Sequence, residues 1–173
     1  GDVDGFLIRS HLAEVAVGAV VVAFIIAGPC NRHYAISHRS DHPLNHVDVA
    51  PTSLGLAGLT PPDTMQGFDY SPLAVPRGQL EDAPDAAYLQ SVVPTGHGPS
   101  VDLPWRGLLT RDGWKYVALA GQPMMLYNLR EDPYEQVNLA WHAHASGIRR
   151  RLNGQLQDQI ERTGDRFSLP AFG

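Results

Sequence analysis

Proline recurs at positions 61, 62, 72, 76, 84, 94 and 99, and no other feature limits this 173-residue chain as strongly. Proline fixes φ and has no N–H to donate, so no long helix or central strand can run through residues 60–103. Regular structure must gather on the two flanks. The chain accordingly divides into residues 1–84, which end in this proline-rich linker, and residues 85–173, where periodic patterns return.

The first flank contains the strongest apolar run, Val15 to Ala27 (VAVGAVVVAFIIA). Spanning a bilayer takes roughly 20 apolar residues, and this run falls short. Its Val and Ile content fits a strand covered on both faces, as in the central sheet of an α/β fold. A signal-type segment is the rival reading, because Arg9 precedes the run and small residues follow it, although Pro29 before Cys30 opposes cleavage. A short helix is expected at 49–57. Asp48 stands where it can cap free N–H groups, Pro51 suits a first turn, and Gly58 suits a left-handed stop.

On the second flank, Trp105 to Thr110 and Trp114 to Ala118 surround Arg111-Asp112-Gly113, a hairpin signal. A third strand is expected over Met124 to Asn128, after a turn at Gly121-Gln122-Pro123. Ile148, Leu152, Leu156 and Ile160 recur every four residues and draw one apolar stripe along a helix, which Gly164 would end. Gly154 inside that helix costs about 1 kcal/mol relative to alanine, so packing of the stripe on the sheet must supply its stability.

A formal net charge of −5 argues against nucleic acid as the main partner, since neutralising phosphates takes clustered cations. Lys115 is the only lysine, which suits a high-GC bacterial coding bias. Cys30 is the only cysteine, so neither an internal disulfide nor a multi-cysteine zinc site can form.

Three stretches taken together resemble sulfatases of the alkaline-phosphatase superfamily. The first is Phe24-Ile25-Ile26-Ala27-Gly28-Pro29, followed by His46-Val47-Asp48-Val49-Ala50-Pro51-Thr52 and Leu56-Ala57-Gly58-Leu59. The second is the turn Pro62-Asp63-Thr64-Met65-Gln66-Gly67. The third joins Trp105-Arg106-Gly107-Leu108-Leu109-Thr110, Trp114-Lys115-Tyr116-Val117 and Leu126-Tyr127-Asn128-Leu129 to Glu131-Asp132-Pro133-Tyr134-Glu135-Gln136-Val137-Asn138-Leu139-Ala140, with Thr163-Gly164-Asp165 closing the last helix. The resemblance implies an α/β chain: the end of a sulfatase-like central sheet domain over 1–84, plus a small C-terminal antiparallel sheet packed by one helix over 85–173. In the third stretch Asp132-Pro133 would start a turn, the Tyr134 ring would pack on the hairpin, and Asn138 would bond turn backbone. Leu126, Tyr127 and Leu139 would hold that turn to the sheet.

Sulfatases hydrolyse sulfate esters with a cysteine or serine in a C/S-x-P/A-x-R motif, oxidised to formylglycine. A divalent cation, usually calcium, sits there among Asp and Asn or His ligands. Cys30-Asn31-Arg32-His33-Tyr34 does not fit that motif. Gly1-Asp2-Val3-Asp4-Gly5, with His11, would be the tail of the family's ligand-bearing stretch, so that the chain begins just after the ligands. Leu12, Val21 and Ala23 stand where the family has its sulfate-contacting lysine and an arginine and proline. The resemblance therefore places no catalytic residue and no metal ligand in this chain, and makes calcium an expectation for the intact family site alone.

His33, His38, His42 and His46, with Asp41 and Asp48, offer metal-ligand chemistry, but Pro43 interrupts the four-residue spacing and nothing fixes a loop into zinc geometry. They are read as solvated loop histidines. His97, in Pro94-Thr95-Gly96-His97-Gly98-Pro99, is the substrate-rim candidate, because loops of this region line the entrance in sulfatases. The functional expectation is the C-terminal part of a sulfatase-like sulfuric ester hydrolase, inactive alone and dependent on a missing N-terminal catalytic part. Its substrate in the intact enzyme would be a sulfate-ester small molecule or glycan. The alternatives are a non-catalytic binding or structural remnant, or part of a related phosphodiesterase or phosphonate hydrolase.

Overall fold

In the computed structural model, which describes residues 41–74, 78–92 and 102–172, one row of side chains organises the C-terminal half. Four strands, β1 (Ala86–Ser91), β2 (Trp105–Thr110), β3 (Trp114–Leu119) and β4 (Gln122–Asn128), form an antiparallel sheet in sequence order. Their register sets Tyr88 opposite Leu108, Leu108 opposite Tyr116, and Tyr116 opposite Leu126. This row joins Leu152, Leu156 and Ile160 of a helix over Ser146–Arg162 in one hydrophobic cluster. Leu108, Tyr116, Leu126, Leu152 and Leu156 are fully buried, and each such side chain stabilises the fold by about 1.5–3 kcal/mol. The Tyr116 hydroxyl donates to Asn153 Oδ1 at 3.0 Å, so its polar end is satisfied within the core.

The hairpin and the helical stripe stand as expected from sequence. Gly113 adopts φ +89° in the Arg111–Gly113 turn, and Gly164 adopts φ +66° just after the helix, where Asp165 N–H returns to Ile160 O at 3.0 Å. Gly154 lies exposed, and a Cβ built there meets no atom within 4 Å. Gly154→Ala is therefore expected to raise stability by up to about 1 kcal/mol, because alanine loses less backbone entropy in a helix. A thermal melt that fails to rise would count against this.

Three expectations about the sheet and its turns need correction. Strand β1 is an addition to the expected elements: Pro84 and Pro94 leave a proline-free window between them, and Ala86–Ser91 pairs with β2 inside it. The last strand starts two residues early, at Gln122, so Pro123 lies within it rather than in the turn. Position 123 tolerates proline because β4 is an edge strand and the ladder bulges there: Val117 faces Met125 while Ala118 faces Pro123. Tyr134 is 81% exposed and does not pack on the hairpin. The Asp132 carboxylate closes its turn by accepting from Gln136 N–H at 2.9 Å and Val137 N–H at 2.8 Å, which leaves Tyr134 at the tip. The contact to the hairpin is made instead by Glu135, which binds Lys115 Nζ at 2.8 Å.

Asn138 closes the free edge of the sheet. Its amide donates to Met124 O at 2.9 Å, and its carbonyl accepts from Leu126 N–H at 3.0 Å. One side chain thus does the work of a fifth strand at the bulge, where edge groups would otherwise be unpaired. Leu139 N–H adds a bond to Leu126 O at 2.8 Å.

Ahead of the sheet, α1 spans Val49–Leu56 and ends at Gly58 with φ +74°, as expected; the C-terminal helix is α2. Asp48 behaves differently from expectation, since its side chain makes no cap bond to α1. It accepts from Asn45 N–H and Phe68 N–H, each at 2.7 Å, and so fastens the loop at 68 to the turn before the helix. Thr52 accepts from Tyr70 N–H at 3.0 Å, and Tyr70 donates to Pro43 O at 2.9 Å. Asn45 Nδ2 donates to Tyr88 O, which ties this segment to the outer edge of β1. The apolar run at 15–27 lies outside the described residues. Among those described, no helix is long and apolar enough to cross a membrane.

Candidate functional site

The chemistry-bearing residues picked out from sequence separate into two groups. His97, Cys30, His33, His38, His11, Asp2 and Asp4 lie outside the described residues. Asp41, His42, His46 and Asp48 are described, and they do not converge. Asp41 and His46 are exposed, while Asp48 is 6% exposed and occupied by two backbone N–H groups. His42 is half-buried rather than solvated, 6.5 Å from the Tyr70 ring, and burial together with nearby Arg111 pushes its pKa below the ordinary value. Among the described residues no group of three or more His, Cys, Asp or Glu side chains could hold a metal ion.

The end of the sheet beside segment 93–101 is built with more precision. That segment leaves β1 after Ser91 and re-enters at β2, so its two stems are held by whatever fixes Ser91 and Trp105. Arg106 does this. Its Nη1 donates to Ser91 O at 3.0 Å and Trp105 O at 2.9 Å, binding both stems from one guanidinium. The same side chain, 5% exposed, forms a fork with Asp165: Nε to Oδ2, and Nη2 to Oδ1 at 3.2 Å. Tyr88 OH donates to Asp165 Oδ2 at 2.9 Å, and the Phe167 ring lies 4.7 Å from the Arg106 guanidinium carbon.

Every polar group here is used by another. The bonds from Arg106 hold the Asp165 pKa down at about 2, so the carboxylate stays ionised. Burial, then the hydrogen bond to Asp165, pushes Tyr88 up to about 12, so the phenol stays protonated. Such a cluster has no spare proton to give and no open acceptor. It holds Ser91 and Trp105, the two described ends that face each other across the β1–β2 connection. Arg106 and Asp165 both stand in stretches singled out from sequence, but their pairing over 59 residues, and the parts played by Tyr88 and Phe167, carried no local signal.

Next to the clamp lies an open groove of about 380 Å³. Leu103 and Leu119 wall it from the sheet side, Phe167 and Arg166 from the segment after α2, and Gln122 from the start of β4. Gly121 N–H donates to Ser168 O at 3.1 Å and holds the last two walls together.

Comparison with known proteins gives this arrangement a context. No family model matches the chain. It is similar to an ulvan-active sulfatase of Formosa agariphila, 29% identical over 125 residues, covering 72% of this chain and 24% of that protein. An arylsulfatase of Chlamydomonas reinhardtii is 32% identical, covering 86% of this chain and 26% of that protein. The chain thus spans about a quarter of the length of the curated relatives it matches. Among solved structures, a 2-O GAG sulfatase superposes with TM-score 0.60 at 27% identity, over 74% of this chain and 27% of that one. A phosphonate monoester hydrolase of Agrobacterium radiobacter superposes with TM-score 0.52 at 25% identity, over 66% and 24%. The antiparallel sheet with its packed helix matches the C-terminal subdomain of sulfatases, within the alkaline-phosphatase superfamily.

Proposed function

We propose that this chain is the C-terminal portion of a sulfatase-type sulfuric ester hydrolase acting on a sulfated glycan, and that alone it does not turn over sulfate esters. The observation that carries the reading is the sulfatase-type sheet and helix, in which the resembling motif residues do scaffold work: Arg106 on the loop stems, Lys115 on Glu135, Asn138 on the sheet edge. The sulfatase relatives, one of them ulvan-active, favour a glycan substrate.

No stretch of the sequence fits the C/S-x-P/A-x-R motif. Cys30 is followed by Asn31-Arg32, and Ser168-Leu169-Pro170-Ala171 continues with Phe172 where arginine is required. In the intact enzyme a calcium ion would polarise the sulfate, held by ligands outside the described residues. The contribution assigned to this chain is to fix the rim loop bearing His97 and to wall the entrance.

The test is aryl-sulfate turnover with added calcium. The purified chain is expected to give none, and clear turnover would sink the claim of inactivity alone. A chimera in which residues 86–172 replace the matching segment of the Formosa agariphila relative is expected to retain turnover. A folded chimera without it would overturn the sulfatase reading. The superposed phosphonate monoester hydrolase motivates one further arm, with an aryl phosphonate as substrate: a chimera faster on phosphonate than on sulfate would favour that chemistry.

A further inference from the structure

We infer that residues 129–139 act as an edge guard: they occupy the hydrogen-bonding edge of β4 and so keep that strand from pairing with β4 of a second copy of the chain. The inference concerns self-association and stands apart from the sulfatase reading.

The edge comes first. Among the described residues β4 is the last strand of the sheet, with a partner strand on one side only. Four of its backbone groups bond to the guard instead of to a strand. Met124 O accepts from Asn138 Nδ2 at 2.9 Å, and Leu126 N–H donates to Asn138 Oδ1 at 3.0 Å. Leu126 O accepts from Leu139 N–H at 2.8 Å, and Asn128 O accepts from Asp132 N–H at 2.7 Å. These alternate residues carry the groups that an incoming strand would use.

The strand itself offers little other protection. Natural edges are blunted by charge, by proline or by a covering segment. Gln122–Asn128 contains no charged residue, and its one proline, Pro123, stands near its start. From Met124 to Leu129 the run Met-Met-Leu-Tyr-Asn-Leu is uncharged and free of proline, the composition of a segment that pairs readily with its own kind. Two such edges related by a two-fold axis meet antiparallel, and the groups that now bond Asn138 and Leu139 would then bond each other.

The guard is held independently of the edge it covers. The Asp132 carboxylate accepts from Gln136 and Val137 N–H, and Glu135 pairs with Lys115 on β3 at 2.8 Å. Just beyond the guard, Ala140 is fully buried, and its carbonyl accepts from Arg149 Nη1 at 2.8 Å. A second copy must displace this fixed segment before it gains a bond, whereas the guard is already ordered in place.

The experiment uses the full chain, with sedimentation velocity over a range of concentrations and hydrogen exchange of the Leu126 amide. Asn138→Ala opens the edge. It is expected to shift self-association to concentrations about tenfold or more below those of the wild-type chain. Its Leu126 amide is expected to exchange fast when dilute and to regain protection as the concentration rises. Circular dichroism establishes that the variant is folded. Where it is not, Glu135→Ala is read in its place, since it frees the turn from β3 while leaving Asn138 intact. Adding Met125→Lys to the open variant puts like charges across the new pairing and is expected to restore wild-type behaviour. A mere loss of stability would not respond in this way. A folded variant no more associated than the wild type, or one that associates without protecting Leu126, would overturn the inference. So would association that survives Met125→Lys.

Discussion

Asp165→Ala is expected to destabilise the chain by about 3–5 kcal/mol, the largest effect of any single substitution outside the core. The change removes the counter-ion of a guanidinium that is 5% exposed and leaves that charge without its anionic partner. It also strips Tyr88 of its acceptor. Denaturant unfolding measures the cost, and a loss below about 1 kcal/mol would show that Arg106 is satisfied by the two carbonyls alone. Removing both charges together, as in Arg106→Met with Asp165→Leu, is expected to cost less than Asp165→Ala, since no unpaired ion is then left behind. The same pair sets an acid limit. Asp165 titrates at about 2 in the folded chain against an ordinary 3.8, so its value is depressed. Its stabilisation is present above about pH 4 and is lost as the pH falls from there towards 2, a difference of about 2 kcal/mol. In Asp165→Asn that part of the acid dependence disappears.

The second large effect concerns the helical stripe. Leu156→Ala is expected to cost about 3–4 kcal/mol, because Leu156 is fully buried in the cluster that holds Leu108, Tyr116 and Leu126, and truncation leaves a cavity there. Two residues earlier, Gly154→Ala acts in the opposite direction on the same helix. Comparing the two by thermal melting separates packing from propensity. A Leu156→Ala cost near zero would mean that the stripe does not carry the core.

The elements that sequence reading located correctly are those encoded over a single turn or a short run. The Arg111-Asp112-Gly113 hairpin, the stripe from Ile148 to Ile160 and the glycine stops at 58 and 164 are all of this kind. Strand β1 escaped because Ala86-Ala87-Tyr88-Leu89-Gln90-Ser91 has little intrinsic strand preference; pairing with β2 creates it. Asp48 was placed at a helix start by its type, yet the loop at Phe68 competes for its carboxylate and wins it. Tyr134 was expected to pack because aromatic rings usually do, but a turn closed by its own Asp132 leaves the ring nothing to pack on. Of the candidate site, the motif stretches around Arg106 and Asp165 were visible, while the groove was not, because its walls come from three separate segments.

By itself the sequence determined the β2–β3 hairpin, the two helices and their glycine stops, since turn chemistry and periodicity act within a few residues and survive without neighbours; its motif stretches carried the sulfatase resemblance. Only the tertiary structure decided that Arg106 meets Asp165 across 59 residues, that Asn138 closes the edge of β4, and that Phe167 and Arg166 flank one groove. The physical reason is that such partners are selected by chain closure and burial, and a hydrogen bond at that separation has no signature in the residues next to either end.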